Sequence, residues 1–255
     1  MAQKPTPRSA RQAKIDAVRK DGGGGANRIV VGAVVAIVAI IAVVGGVVVA
    51  ERNKTDRVGT STAVPAGAAG MGQGFVANAD ATLVAGAPTL DVYEDFQCPS
   101  CAQFEHVMGA TVADLATQGK IKLVYHLKTF LDANLGTTHS LTMGNAAMCA
   151  ADAGKFQAFH DTVYANMPAQ EGAGWSTAQV KGFAERAGIS GSALDTWQAC
   201  VDDKKYNAYV ESTEEASGKA GINATPTVVL AGTKLDFDAV PDPAALTAAI
   251  EAATK

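Results

Sequence analysis

Hydrophobic positions fall into three textures along the chain. Residues 29–50 (IVVGAVVAIVAIIAVVGGVVVA) carry no charged side chain. As a helix rising ~1.5 Å per residue this run is about 33 Å long, enough to cross a hydrocarbon core of ~30 Å. It reads as an uncleaved transmembrane signal anchor. The rival is a cleaved secretory signal, whose apolar region usually runs ~7–15 residues. Residues 51–77 lose any apolar period, with five glycines from Gly59 to Gly74, and read as a flexible linker of ~25–30 Å reach.

From residue 78 the pattern is that of a folded α/β domain. Thr82–Ala85 and Leu90–Phe96 are short, apolar-rich strand candidates. A helix follows over Pro99–Gln118, with Phe104, Val107, Met108, Val112 and Leu115 at helical spacing. Ile121–Leu127 is the next strand. Residues 138–218 read as four or five helices broken near Gly154, Pro168, Gly188 and Lys204–Lys205. Thr227–Leu230 and Thr233–Leu235 form a hairpin around Ala231–Gly232. Asp242–Pro243 is a cap and first-turn pair that opens a final helix.

Charge sharpens this division. Residues 1–28 hold seven Lys or Arg against Asp16 and Asp21, whereas from Val58 onward 11 basic face 21 acidic side chains. The basic flank orients the apolar helix with residues 1–28 as a cytoplasmic tail and the following chain outside, in the cell membrane. The acidic domain excludes nucleic acid as a partner, because phosphate contacts need a basic face. Hydrophobic residues at 48% of 255 exclude wholesale disorder.

Chemistry concentrates where the second strand meets the first helix, in Phe96-Gln-Cys98-Pro-Ser-Cys101. Two cysteines three apart can close a disulfide ring in the first helical turn. Free N–H groups and partial positive charge at a helix N-terminus favour a thiolate at the first of them. Cys98 is therefore the exposed nucleophile and Cys101 the buried resolving thiol. Half of a zinc site is the alternative, but Cys149 and Cys200 stand 51 residues apart and no histidines pair closely. A purely structural disulfide is another alternative, although so small a ring staples almost nothing.

Two separated motifs resemble the DsbA-like thiol:disulfide oxidoreductases of the thioredoxin superfamily, in their actinobacterial type. One is Tyr93-Glu-Asp-Phe-Gln-Cys98-Pro-Ser-Cys101, followed by Phe104 and Glu105. The other is Gly221-Ile-Asn-Ala-Thr225-Pro226-Thr-Val-Val-Leu-Ala-Gly232. Between them, Asn145–Cys149, Gly154–Phe156, Phe159-His-Asp161 and Tyr164 resemble the inserted helical domain of that family. The resemblance implies a thioredoxin fold over 78–255 with a helical insertion at about 138–218. It also implies a cis-proline loop in which Thr225 and Pro226 bind substrate beside Cys98. Many relatives carry a buried acid six residues before the first cysteine that assists proton movement at the buried thiol. Val92 stands at that position here, and no proton-handling acid is assigned to Asp95 or Glu94.

Cys149 and Cys200 remain. In an oxidising compartment, two leftover cysteines of one subdomain pair as a structural disulfide; a redox relay with Cys98 and Cys101 is the functional alternative. Trp175, Trp197, Phe156, Phe159 and Tyr164 read as core of the insertion. The combined reading is an extracytoplasmic dithiol oxidase for exported proteins with reduced cysteines, held to the bilayer through residues 29–50. Its reoxidant, by resemblance, is a quinone-linked membrane protein of the DsbB or vitamin K epoxide reductase type. No metal or organic cofactor is implied. A disulfide reductase or isomerase, and a non-catalytic binding or chaperone module, are the competing readings.

Overall fold

The computed structural model describes residues 56–255. The expected cytoplasmic tail and transmembrane segment, residues 1–28 and 29–50, lie outside the described residues. No helix among the described residues is long and apolar enough to cross a membrane.

Five strands form one mixed sheet in the order β1-β3-β2-β4-β5. They are β1 Phe75–Val76, β2 Thr89–Glu94, β3 Lys122–Leu127, β4 Thr227–Leu230 and β5 Thr233–Lys234. β2 and β3 run parallel, and a helical crossover joins them: α1 Pro99–Phe104, a π-helical turn Glu105–Gly109, and α2 Ala110–Thr117. β4 lies antiparallel to β2 on its other side, with Tyr93 opposite Thr227. This is an α/β thioredoxin fold.

The insertion comprises α3 Phe130–Leu135, α4 His139–Asp152, α5 Phe156–Tyr164, α6 Thr177–Arg186, α7 Ser192–Asp202 and α8 Asn207–Lys219. The final helix α9, Pro243–Ala253, opens as its sequence suggests: the Ala245 N–H donates to the Asp242 carboxylate at 2.9 Å. At the β4–β5 hairpin, Ala231 and Gly232 take positive φ values of 48° and 83°, as a tight two-residue turn demands.

Strand alternation decides what enters the core. Along β2, Leu90, Val92 and Glu94 are buried while Thr89, Asp91 and Tyr93 are only partly covered. A period of two therefore delivers two aliphatic side chains and one carboxylate to the same inner face. Along α5 the spacing of Phe156, Phe159, His160, Val163 and Tyr164 places all five in the core. Trp197 is buried with its indole N–H donating to the Ala146 carbonyl at 3.0 Å, whereas Trp175 is partly buried at the edge of that cluster.

Two expectations are corrected. Thr82–Ala85 is not a strand: Leu83 and Val84 are exposed, and the segment crosses the C-terminus of α2, where the Val84 N–H donates to the Gly119 carbonyl. The edge position next to β3 is taken by Phe75–Val76 instead. Nor does a flexible linker extend through residue 77. Val58 and Phe75 are buried, and the intervening chain is fastened to α8 and the turn before it. Arg57 pairs with Glu211 at 2.8 Å, the Ser61 hydroxyl donates to the Lys205 carbonyl at 2.7 Å, and the Tyr209 hydroxyl donates to the Gln73 carbonyl at 2.7 Å. Glycines here permit close packing and do not signal freedom: a side chain at Gly67 would collide with Phe75, and one at Gly74 with Val124 and His126.

This packing carries a test. Phe75 sits against Phe156 with ring centroids 4.6 Å apart. Phe75→Ala should cost about 3 kcal/mol and lower Tm by roughly 10 °C. An unchanged thermal transition would show that the segment contributes nothing to the folded body.

Candidate active site

The site begins at the C-terminal end of β2. Residues 95–97 turn off the sheet, and Cys98 becomes the N-cap of α1, with extended φ and ψ of −81° and 116°. The Cys98 carbonyl accepts the Cys101 and Ala102 N–H groups at 3.1 and 3.2 Å, while its own N–H donates to the Asp95 carbonyl at 2.9 Å. Pro99 occupies the first helical position, where no N–H is needed. Both cysteines are free thiols. Cys101 is fully buried, and Cys98 retains 8% of its surface.

The two sulfurs are driven apart in acidity. Cys98 is lowered to about 6, first by its hydrogen bond with Cys101. Partial burial opposes this; the Thr225 side chain and the N–H groups of Cys101 and Ser100 reinforce it. Cys101 is pushed well above the ordinary thiol value, first by burial, then by its bond with Cys98 and the charge of Glu94. The arrangement stabilises one negative charge on the outer sulfur and retains one proton on the inner sulfur.

Thr225 and Pro226 stand directly beside the pair. The Cys98 thiol lies 3.5 Å from the Thr225 carbonyl, and the Thr225–Pro226 bond is cis. The two residues form one wall of an apolar cleft of about 470 Å³ that also includes Phe104, Val107, Met108 and Phe237. Cys149 and Cys200 are joined to each other, with a Cα–Cα distance of 5.9 Å, and tie α4 to α7 within the insertion.

Buried carboxylates surround the pair, and sequence reasoning left them unassigned. Asp95 accepts hydrogen bonds from the Ser140 hydroxyl at 2.5 Å, the Gln97 N–H at 2.9 Å and the Leu131 N–H at 3.2 Å. Burial nevertheless pushes it up to about 7, against the lowering effect of those bonds. Asp132 accepts the Ser140 and Leu141 N–H groups at the start of α4, and Gln97 Nε2 at 2.8 Å. It thereby places a negative charge at a helix N-terminus and locks the active-site loop to the insertion. Deeper in, Glu94 bonds to Nε2 of His160, whose Nδ1 lies 3.2 Å from Asp161. Alternation along β2 and the i, i+4 step from Cys101 to Glu105 were the available signals for this cluster.

Glu94, Glu105 and His160 form the one group of metal-ligand types within reach among the described residues, with one atom from each within 4.8 Å of the others. Both imidazole nitrogens already face carboxylates. That geometry suits a hydrogen-bonded imidazolium.

A thioredoxin fold with a helix-capping Cys-Pro-Ser-Cys pair and an adjacent Thr-Pro loop defines a class of thiol-exchange proteins. A family model described as Thioredoxin matches residues 82–252. Oxidised DsbA of Mycobacterium tuberculosis is similar at 28% identity and TM-score 0.57, over 69% of this chain and 89% of that one. Reduced DsbG, a disulfide bond oxidoreductase of the same organism, is similar at 28% identity and TM-score 0.56, over 68% and 83%. MdbA, a thiol-disulfide oxidoreductase of Actinomyces oris, shares the fold at 24% identity and TM-score 0.57, over 67% and 83%. No curated protein sequence matches the chain. The chain belongs to the thioredoxin family and, within it, to the DsbA-like thiol-disulfide oxidoreductases.

The split acidity generates a pH dependence. Because Cys98 is lowered in the fold, its stabilisation is fully present above the ordinary thiol value of ~8.5 and is lost as pH falls through about 6. Cys101, raised, weakens the fold only above ~8.5. The disulfide form contains neither thiol. The Tm of the reduced form should therefore rise relative to the oxidised form between pH 6 and 8.5. A gap independent of pH across this window would contradict the assigned thiolate. Alkylation should show the same order, with Cys98 half-reactive near pH 6 and Cys101 inert.

Proposed function

We propose that the protein is an extracytoplasmic dithiol oxidase that introduces disulfides into exported proteins through Cys98–Cys101. A substrate thiolate attacks Cys98 Sγ of the oxidised pair. The Cys98–Cys101 bond breaks, a mixed disulfide forms at Cys98, and Cys101 leaves with the electron pair and takes up a proton. A second substrate thiolate then attacks the substrate sulfur of that bond and expels Cys98 as a thiolate. The substrate is oxidised by two electrons, and the enzyme is left as thiolate plus thiol.

The observation that supports the oxidising direction is the place of Cys98 at the N-terminus of α1, hydrogen-bonded to Cys101, where its pKa is lowered to about 6. A stabilised leaving thiolate favours the reduced enzyme, and so favours passing the disulfide on. Thr225 and Pro226 hold the substrate chain in this reading. An extended segment pairing with the Thr225 backbone brings its cysteine to Cys98, with a neighbouring side chain over the apolar cleft. Reoxidation falls to a quinone-linked membrane protein of the DsbB or vitamin K epoxide reductase type. Residues 29–50 anchor the domain in the bilayer, with residues 1–28 cytoplasmic.

The test is the reduction potential together with refolding of a reduced substrate protein. Oxidase function predicts a potential well above thioredoxin's ~−270 mV and nearer ~−120 mV. Cys98→Ser should abolish turnover, and Cys101→Ser should accumulate mixed disulfides with substrate. A potential near that of thioredoxin would assign the protein to reductive exchange. Substrate binding that survives Cys98→Ser without any turnover in the wild type would assign it to binding alone.

A further inference from the structure

Glu94, Glu105 and His160 converge from three elements that are well separated in sequence: β2, the π turn and α5. One ligand atom from each lies within 4.8 Å of the other two. A tetrahedral ion with bonds of ~2.1 Å holds its ligands about 3.4 Å apart. Side-chain adjustments of about 1 Å therefore close this set on an ion.

Three observations separate the cluster from ordinary buried acids. The first is the support of the imidazole. Nε2 of His160 faces Glu94, while Nδ1 lies 3.2 Å from the Asp161 carboxylate. A metal-binding histidine ordinarily donates its second ring N–H to such an acceptor, which fixes its tautomer and orientation. The second is polar capacity left over. Glu94 Oε2, Glu105 Oε1 and the Tyr164 hydroxyl are buried without a hydrogen-bond partner. Glu94 is itself fully buried, so no solvent reaches its free oxygen. Such oxygens cost free energy until a positive group or a donor faces them.

The third is a way in. A cavity of about 260 Å³ is lined by Glu105, Asp161 and Tyr164, and reaches the surface beside the exposed His106. It has ample room for a water on an open coordination position. A side chain at Gly109 would collide with the Glu105 carboxylate, so the glycine keeps the place that this acid occupies. Glu105 also opens the π turn, a helical irregularity frequent at functional sites.

The donor set selects the ion. Calcium takes six to eight oxygen ligands and magnesium a near-ideal octahedron of oxygens. Two carboxylates, one imidazole nitrogen and one open position suit Zn²⁺, which is held by three protein ligands and a water in its open sites.

We propose that Glu94, Glu105 and His160 Nε2 form a binding site for Zn²⁺, with the fourth position open to cavity water and Asp161 holding His160 from behind. Binding displaces the protons that offset the carboxylates in the ion-free cluster, the one on Nε2 included, and releases them to water. Two carboxylates and a neutral imidazole then balance the double charge of the ion. The Tyr164 hydroxyl, which lies in the fields of Glu94 and Glu105, is a donor or acceptor for the bound water. The ion pins the central strand and the π turn to α5, and so stabilises the folded state by binding it alone. Asp161 is a positioning residue.

The test uses the tag-free full chain oxidised at Cys98–Cys101, so that no active-site thiol can ligate. It is stripped with chelator and titrated with Zn²⁺ while bound metal and Tm are followed. One ion per chain is expected, with Tm raised by roughly 5–10 °C at a 100-fold excess over Kd, and no response to Ca²⁺ or Mg²⁺. Glu105→Gln should weaken binding at least 10²-fold. Asp161→Asn, at a half-exposed position, should weaken it about 10-fold while leaving the Tm of the ion-free protein unchanged, which a merely structural role would not do. His106→Ala should bind as the wild type does.

Absence of stoichiometric Zn²⁺ on the oxidised chain would overturn the site, as would unchanged affinity in Glu105→Gln. Loss of binding in His106→Ala would move the ion to the surface, and binding confined to the reduced protein would move it to the thiols. Either outcome also overturns the proposal.

Discussion

A carboxylate on the core face of the central strand has to be neutralised, and much of the structure follows from how this is done. Glu94 is fully buried, because alternation along β2 gives it the same face as Leu90 and Val92. Removing one partner of a buried ion pair costs about 3–5 kcal/mol, since the remaining charge stays unpaired in a medium of low dielectric. His160, fully buried on α5, is the partner. The pair therefore joins sheet to insertion at one point, and that point lies behind Cys101. Packing around it is aromatic: Tyr125, Phe96, Phe156 and Tyr164 all approach the imidazole within 4.7–5.7 Å between centroids.

That same buried charge adds to the inequality of the two sulfurs, whose first cause at Cys101 is burial and at Cys98 the bond with Cys101. The Cys98 side of the pair meets the helix N-terminus, Thr225 and residual solvent, all of which accommodate a thiolate. The Cys101 side meets apolar surroundings and Glu94, both of which oppose one. The field at the pair thus has a fixed direction, and the thiolate is placed where a disulfide-bearing partner can reach it. The Cys-Pro-Ser-Cys motif on a helix end supplies most of the lowering at Cys98, through the Cys101 thiol and the Cys101 and Ser100 N–H groups, while burial and Glu94 add to the rise at Cys101.

How far this was legible in the sequence depended on whether the signal was local. The strand–CxxC–helix junction, the hairpin at Ala231–Gly232 and the cap at Asp242 are all set by adjacent residues, and each appears where short-range rules put it. Thr82–Ala85 misled because a four-residue apolar run without a partner is indistinguishable from an edge strand, whereas the true edge, Phe75–Val76, has two residues and no period. Residues 57–77 misled because small residues that pack closely against neighbours resemble small residues that are free. The acid cluster was a different case. Glu94 and Glu105 sit at inward positions by period and by helical step, but one polar residue in an apolar pattern reads as an interruption. His160 reads as core for the same reason. Their chemistry emerges only when β2, α5 and the π turn are brought together over 66 residues of sequence.

The insertion is consequently part of the active site. It contributes His160 to Glu94, Ser140 to Asp95, and Asp132 to Gln97 and to the N-terminus of α4. A sheet with its CxxC helix alone would bury Glu94 and Asp95 without a cation or sufficient donors. Such a core is unstable unless the acids stay protonated. The link between Cys149 and Cys200 acts one step further out. It fixes α4 to α7, and the Asn145 side chain on α4 accepts the Tyr206 N–H at 2.8 Å while donating to the Val201 carbonyl at 3.2 Å. Holding α4 in place holds Ser140, and Ser140 holds the loop from which Cys98 projects. The Cys149–Cys200 disulfide is thereby connected, through α4 and Ser140, to the geometry of the reactive pair.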